Sequence, residues 1–221
     1  MVDIFDEVDE ELRADRAEAL LKRYAGHLVV GAVLIVALTG GWQGWRWWEA
    51  RRDLAAAEAF LGAMRTAEAL PADSQAPAKI TAAEAFQTLA ADAPTGYRTL
   101  ARLRAAGLRA AAGDLPGALT LWNEVAADSA ADPILRDHAN LAWVQHQIDS
   151  GNAAQLQARL APLMAADNPW RALAAEAAAL IELRLGRTEQ ARTALKALST
   201  DTKAPDGVRA RANGLLAQLG G

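Results

Sequence analysis

The side chains that could do acid–base or metal chemistry are few, and their spacing keeps them apart. There are three histidines, His27, His138 and His146, and no cysteine. His138 and His146 stand eight residues apart. On one helix, at 1.5 Å per residue, that is roughly 12 Å, too far to share a metal ion. The lack of cysteine excludes disulfides, thiol nucleophiles and thiolate-held metals. No HExxH, P-loop, GxGxxG or GxSxG occurs. A hydrolase built on carboxylates would have to draw on acids that no spacing singles out. The sequence therefore points to no catalytic residue, no metal and no cofactor.

What remains for recognition is aromatic and cationic. Aromatics and arginine usually dominate the energy of protein contacts. Tyr97, Trp122, Trp143 and Trp170 are the large aromatics of the repeats described below. Trp122 falls on an inward position of the repeat. Tyr97, Trp143 and Trp170 stand as candidates for partner binding, with Trp170, just after Pro169, the best placed for exposure. Arg98, Arg102 and Arg109 recur on the segment starting near Tyr97 and read as a solvated face.

These residues must be positioned by helices. From Tyr24 to Trp45, 22 residues pass without Asp, Glu, Lys or Arg. About 20 apolar residues suffice for a helix to cross a bilayer. Trp42, Trp45, Trp47 and Trp48 follow at the end of the run, where indoles favour the membrane interface, and Arg46 among them can snorkel to the headgroups. Gly40 and Gly44 form a GxxxG, and Ala37 and Gly41 a second small pair, which would let another helix approach closely. The segment is not a cleaved signal peptide: a long acidic stretch precedes it and tryptophans follow it.

Residues 1–23 hold eight acids and four bases, out of 27 and 23 in the chain. The remainder is balanced at 19 and 19, so the net charge of −4 resides in this tail. No basic excess exists for nucleic acid. The tail reads as helical over 5–23, with Asp9–Arg13 and Glu18–Lys22 as i,i+4 pairs and Phe5, Val8 and Leu12 on one face. Four bases precede the anchor, and Arg46, Arg51, Arg52 and Arg65 follow it, so the positive-inside rule does not decide orientation.

Beyond Glu49 the chain is rich in helix formers and shows no sustained alternation. Gly113, Gly151 and Gly186 recur at spacings of 38 and 35, and Pro94, Pro133, Pro169 and Pro205 at 39, 36 and 36. Aligned on the glycines, position −7 holds Ala106, Val144 and Ala179; +5 holds Ala118, Leu156 and Ala191; +9 holds Trp122, Leu160 and Leu195; +12 holds Val125, Leu163 and Leu198. This frame predicts helical hairpins in which Gly caps the first helix, Asp114, Asn152 and Thr188 cap the second, and Asp132-Pro133 and Asn168-Pro169 start the next unit. Hairpins near this length are the tetratricopeptide (TPR) pattern, here degenerate in spacing. The predicted fold is all-α: an acidic tail (1–23), a single transmembrane helix (24–48) and a TPR-like α-solenoid (49–221). Within the solenoid the units run 95–132, 133–168 and 169–204. An earlier pair covers 49–92, with Ile80, Ala83, Phe86 and Leu89 inward on its second helix. A capping helix over 205–219 turns Leu215, Leu216 and Leu219 inward.

The tail segments Asp3-Ile4-Phe5-Asp6-Glu7-Val8 and Glu11-Leu12-Arg13-Ala14-Asp15-Arg16, one anchor, and the interior Ala93-Pro94-Thr95-Gly96-Tyr97-Arg98-Thr99-Leu100-Ala101 and Ala130-Ala131-Asp132-Pro133 together resemble the YfgM-like family. Members are ancillary subunits of the bacterial Sec translocon with a TPR-like periplasmic domain. The resemblance covers essentially the whole chain. It implies a single-pass inner-membrane protein with its N-terminus in the cytoplasm and its C-terminal domain in the periplasm. Its implied partners are Sec translocon subunits, a periplasmic chaperone of the prolyl-isomerase type and secreted client proteins. It carries no catalytic motif. A TPR assembly factor for cytochrome c maturation or for cell-envelope and division machinery would have much the same sequence.

Overall fold

The computed structural model describes residues 4–71 and 74–220, and for residues 4–21 and 28 the backbone path alone. The expected tail pairs Asp9–Arg13 and Glu18–Lys22, and the face of Phe5, Val8 and Leu12, involve side chains outside the described residues. No strand occurs among the described residues. The helices are α1 (Ile4–Glu68), α2 (Ala76–Asp92), α3 (Thr95–Ala111), α4 (Leu115–Ala127), α5 (Pro133–Gln145), α6 (Ala153–Leu160), α7 (Arg171–Arg184), α8 (Thr188–Thr200) and α9 (Asp206–Gln218). Contacts divide the chain into two compact units, Met1–Arg52 and Asp53–Gly221.

The first unit carries the long apolar run. Among the described residues one helix is long and apolar enough to cross a membrane, and its most apolar window has no buried residue. Thr39, in mid-run, donates its hydroxyl to the Ile35 carbonyl at 2.8 Å. That bond satisfies a polar group that hydrocarbon could not.

In the second unit the glycine frame becomes the core. All twelve side chains at positions −7, +5, +9 and +12 are buried, none more than 4% exposed. In the first and third hairpins alanine at −7 and +5 lets the two helices approach, and the larger residues at +9 and +12 fill the space they leave; the second carries Val144 and Leu156 at those positions. The hairpins α3–α4, α5–α6 and α7–α8 stack in sequence order, and α9 packs on α7 and α8. α2 buries Ala82, Ala83, Phe86 and Ala90, while Ile80 and Leu89 are only half-buried. Phe86 meets Phe60 edge-on at 5.6 Å. α9 buries Val208 and Ala212, and the expected Leu215, Leu216 and Leu219 pack around them partly exposed.

The glycines do two different jobs. Gly113 and Gly186 take φ of +84° and +73°, the left-handed cap expected of them. Gly151 does not. A Cβ there would lie 2.9 Å from the Gln147 carbonyl oxygen, to which the Gly151 amide donates at 2.7 Å. Close approach, not handedness, requires glycine at that turn. The chain also leaves the α-helical ladder after α6, in the 3-10 turn Ala161–Met164. Pro162 cannot donate and so ends the helix there.

Three of the expected caps form. Asp114 accepts from the Gly117 amide at 3.0 Å, Asp132 from Ile134 at 2.8 Å and Asn152 from Gln155 at 3.1 Å. Two do not. Thr188 is already the first residue of α8, after Arg187. Asn168 accepts from the Trp170 amide at 2.8 Å, which makes a turn, and α7 begins only at Arg171.

Thr188 stands two residues after its glycine, whereas the cap position stands one after; that position and the one four before each glycine form a recurring pair. In the first hairpin these are Arg109 and Asp114, an ion pair at 2.5 Å. In the third they are Glu182 and Arg187, paired at 3.2 Å with the signs exchanged. In the second they are the neutral amides Gln147 and Asn152. A second recurring contact closes the same two hairpins from the far end. Asp128 and Asp201, both fifteen after their glycine, pair with Arg102 and Arg171 of the preceding helix. Each also accepts from the backbone amide two residues on, Ala130 at 3.0 Å and Lys203 at 2.9 Å. Arg102 and Arg109 are thus hairpin fasteners and not the solvated face that their spacing implied.

Candidate functional site

A cleft opens between the first helices of the second and third hairpins and the capping helix. α5 with the turn after it, α7 and α9 enclose about 560 Å³ open to solvent. Ile148, Ala177, Leu180 and Leu215 form apolar walls, and Gln145 and Gln218 bring amides to the rim. Glu176 and Arg211 lie between them.

Glu176 is a carboxylate only 7% exposed within an alanine-rich helix. Both its oxygens are met by Arg211, Nε to Oε1 and a terminal nitrogen to Oε2, each at 2.6 Å. This fork geometry is the one in which arginine binds carboxylate most firmly. The Glu176 bond also raises the Arg211 guanidinium's pKa above its ordinary value. Among the described residues the other terminal nitrogen of Arg211 finds no hydrogen-bond partner, and the side chain is half exposed. The cleft is therefore apolar, without net charge, and lined with free amide and guanidinium donors. Such a surface suits a polypeptide: side chains against the walls, backbone carbonyls to the donors.

The sequence profile of the tetratricopeptide repeat-like domain matches residues 19–215, through the apolar run and all the hairpins. The chain belongs to this TPR-like family. No curated protein and no solved structure matches it.

TPR-like stacks present their partners with a concave surface, and the expected aromatics stand outside the cleft in this one. Trp143 corrects the expectation of an accessible ring. It is 6% exposed, beside Val144 of the inward frame. The Arg159 guanidinium covers it at 3.7 Å from the ring centre. Arg159 is held there by Asn123 at 2.6 Å and Asn140 at 3.4 Å, and partial burial lowers its pKa. Trp170 is half-buried rather than exposed: its indole N–H donates to the Ile134 carbonyl at 3.0 Å and its ring stacks on His138 at 5.0 Å. Tyr97 is half-buried, 6.0 Å from Phe60. His146 stacks on Trp122 at 4.5 Å, so both repeat histidines are occupied by indoles. Among the described residues no group of three His, Asp or Glu could hold a metal ion.

In the first unit Trp42, Trp45, Arg46, Trp47 and Trp48 are all exposed. Gly40 and Gly44 are exposed too, and a Cβ on either would meet nothing within 4 Å. Sequence reasoning missed Glu176 and Arg211. The available signal was a lone acid in Ala172-Leu173-Ala174-Ala175-Glu176-Ala177-Ala178-Ala179, where a buried helix face leaves a carboxylate in need of a partner.

Proposed function

We propose that this protein is a non-catalytic, membrane-anchored adaptor whose TPR-like domain works through protein–protein contacts. The observation that carries the reading is that one family profile runs from the apolar helix through the whole stack, so anchor and hairpins form a single design. The apolar segment of α1 over residues 24–48 is the single-pass anchor of an inner membrane, with the acidic tail in the cytoplasm and the repeat domain in the periplasm. The resemblance to the YfgM-like family supports association with the Sec translocon, in company with a periplasmic prolyl-isomerase-type chaperone. Secreted proteins emerging from the channel are the clients.

The cleft between α5, α7 and α9 is the client site under this reading. Its apolar walls and amide rim suit an extended, apolar stretch of unfolded chain, and its internally neutralised ion pair repels neither sign of charge. Crosslinking in intact membranes, with a C-terminal tag and mass spectrometry of co-purifying proteins, tests the reading. Translocon subunits and a periplasmic chaperone are expected. Haem-maturation or division proteins in their place would overturn it. Leu180→Asp, on the cleft wall, is expected to reduce client crosslinks while leaving the translocon contact intact.

A further inference from the structure

Three arginines, Arg46, Arg51 and Arg52, follow directly on the apolar run, with Glu49 the acid among them. In the repeat domain Arg102, Arg109, Arg171, Arg187, Arg192, Arg209 and Arg211 are ion-paired. Among the described residues, Arg46, Arg51 and Arg52 have no carboxylate within ion-pair distance. Glu49 is within one turn of Arg52, yet the Arg52 guanidinium lies on the Trp48 ring, 4.8 Å from its centre. One residue earlier, Arg51 lies over Trp47 at 4.0 Å. Trp45 packs beside Trp48 at 5.5 Å, which extends the aromatic surface towards the apolar run.

A guanidinium laid flat on an indole is held by cation–π attraction, and its N–H donors remain free around the edge. Those donors form the fork that matches two phosphate oxygens. Two such forks at one level of the helix, about 1.5 Å apart in rise, next to exposed indoles that need an apolar surrounding, match phosphate at a hydrocarbon boundary. We infer that the Trp47–Arg51 and Trp48–Arg52 pairs form a headgroup site for anionic phospholipid. A freely dissolved phosphate would use the forks but leave the indoles in water, so the bilayer lipid is the occupant. The inference rests on the membrane-anchor reading.

The test uses the full-length chain in vesicles of phosphatidylcholine mixed with phosphatidylglycerol, with bromines on the acyl chains of one lipid or the other. Bromine quenches only indoles that touch the bilayer. Greater quenching by the anionic lipid is expected, with a relative binding constant about fivefold in its favour for each arginine. Arg51→Gln with Arg52→Gln is expected to remove the preference, and Lys196→Gln with Lys203→Gln, equal in charge change, to leave it. Arg51→Lys with Arg52→Lys is expected to retain only part, because an ammonium cannot form the fork. Equal quenching by both lipids, a preference that survives the double glutamine variant, or full retention by lysine would each overturn the site. Relief of the preference by millimolar glycerol phosphate would assign the forks to free phosphate and overturn the lipid assignment. Quenching by neither lipid would instead overturn the anchor, and the site with it.

Discussion

At the scale of single residues, the decisive contacts are those where a charge or a ring is taken out of water. Glu176 is the clearest. With Arg211→Ala its carboxylate stays buried without its fork, at a cost of roughly 1–3 kcal/mol. The solvated end of Arg211 keeps the loss below that of a fully buried pair. Denaturant unfolding of the detergent-solubilised chain measures it, and Glu176→Gln in the same background is expected to recover part. His138 supplies a pH signature. Burial against Trp170 holds its pKa below the ordinary histidine value. The unfolded chain therefore takes up a proton before the folded one does. Its contribution to stability is complete above the ordinary histidine range and is lost as pH falls through that range. Thermal melts between pH 8 and 5 are expected to show this decline, and His138→Phe to flatten it.

At the scale of elements, the first and third hairpins are held at both ends by ion pairs, while the second has neutral amides at the equivalent turn positions. The Arg109–Asp114 and Glu182–Arg187 pairs occupy the same two repeat positions with opposite polarity. Asp114's carboxyl is held below its usual range, first by the Arg109 hydrogen bond and then by the Gly117 amide. Where these positions are charged the signs are opposite, and their order is free. Arg109→Asp is thus expected to lower the melting temperature, and the added Asp114→Arg to restore much of it. Exposed pairs of this kind are weak, so the restoration in the double variant, and not the size of either change, is the test. The turns separate two kinds of glycine. Gly186→Ala is expected to cost about 1 kcal/mol from left-handed strain. Gly151→Ala is expected to cost more, because its methyl group meets backbone that cannot move aside. Urea titrations of the two variants side by side decide this.

At the scale of the whole molecule, the repeat domain's stability follows from neighbour packing while its function depends on what the stack leaves open. Trp143→Ala is expected to cost about 3–5 kcal/mol, as core tryptophans do. Leu180→Asp, on a partly exposed cleft wall, is expected to cost much less. If the cleft receives clients, the second variant loses crosslinks at full stability and the first loses them only when the domain unfolds. Crosslinking yields set against melting temperatures separate the two.

The sequence alone carried the helical class, the succession of hairpins and the frame of twelve buried positions, because burial on a helix repeats with the helix's own period. It also carried the apolar run, whose length is a property of consecutive residues. Arg109 and Asp114 lay five residues apart in plain view, and the frame would have predicted their pairing. Tertiary structure decided the rest. Glu176 and Arg211 meet across 35 residues, and only the packing of α9 on α7 joins them. The packing of α6 on α5 placed Trp143 under Arg159, and that of α9 on α7 opened the cleft away from the expected aromatics. Local period says which side of a helix faces inward. It does not say which distant side chain will be there to meet a buried charge, because that depends on how successive hairpins stack.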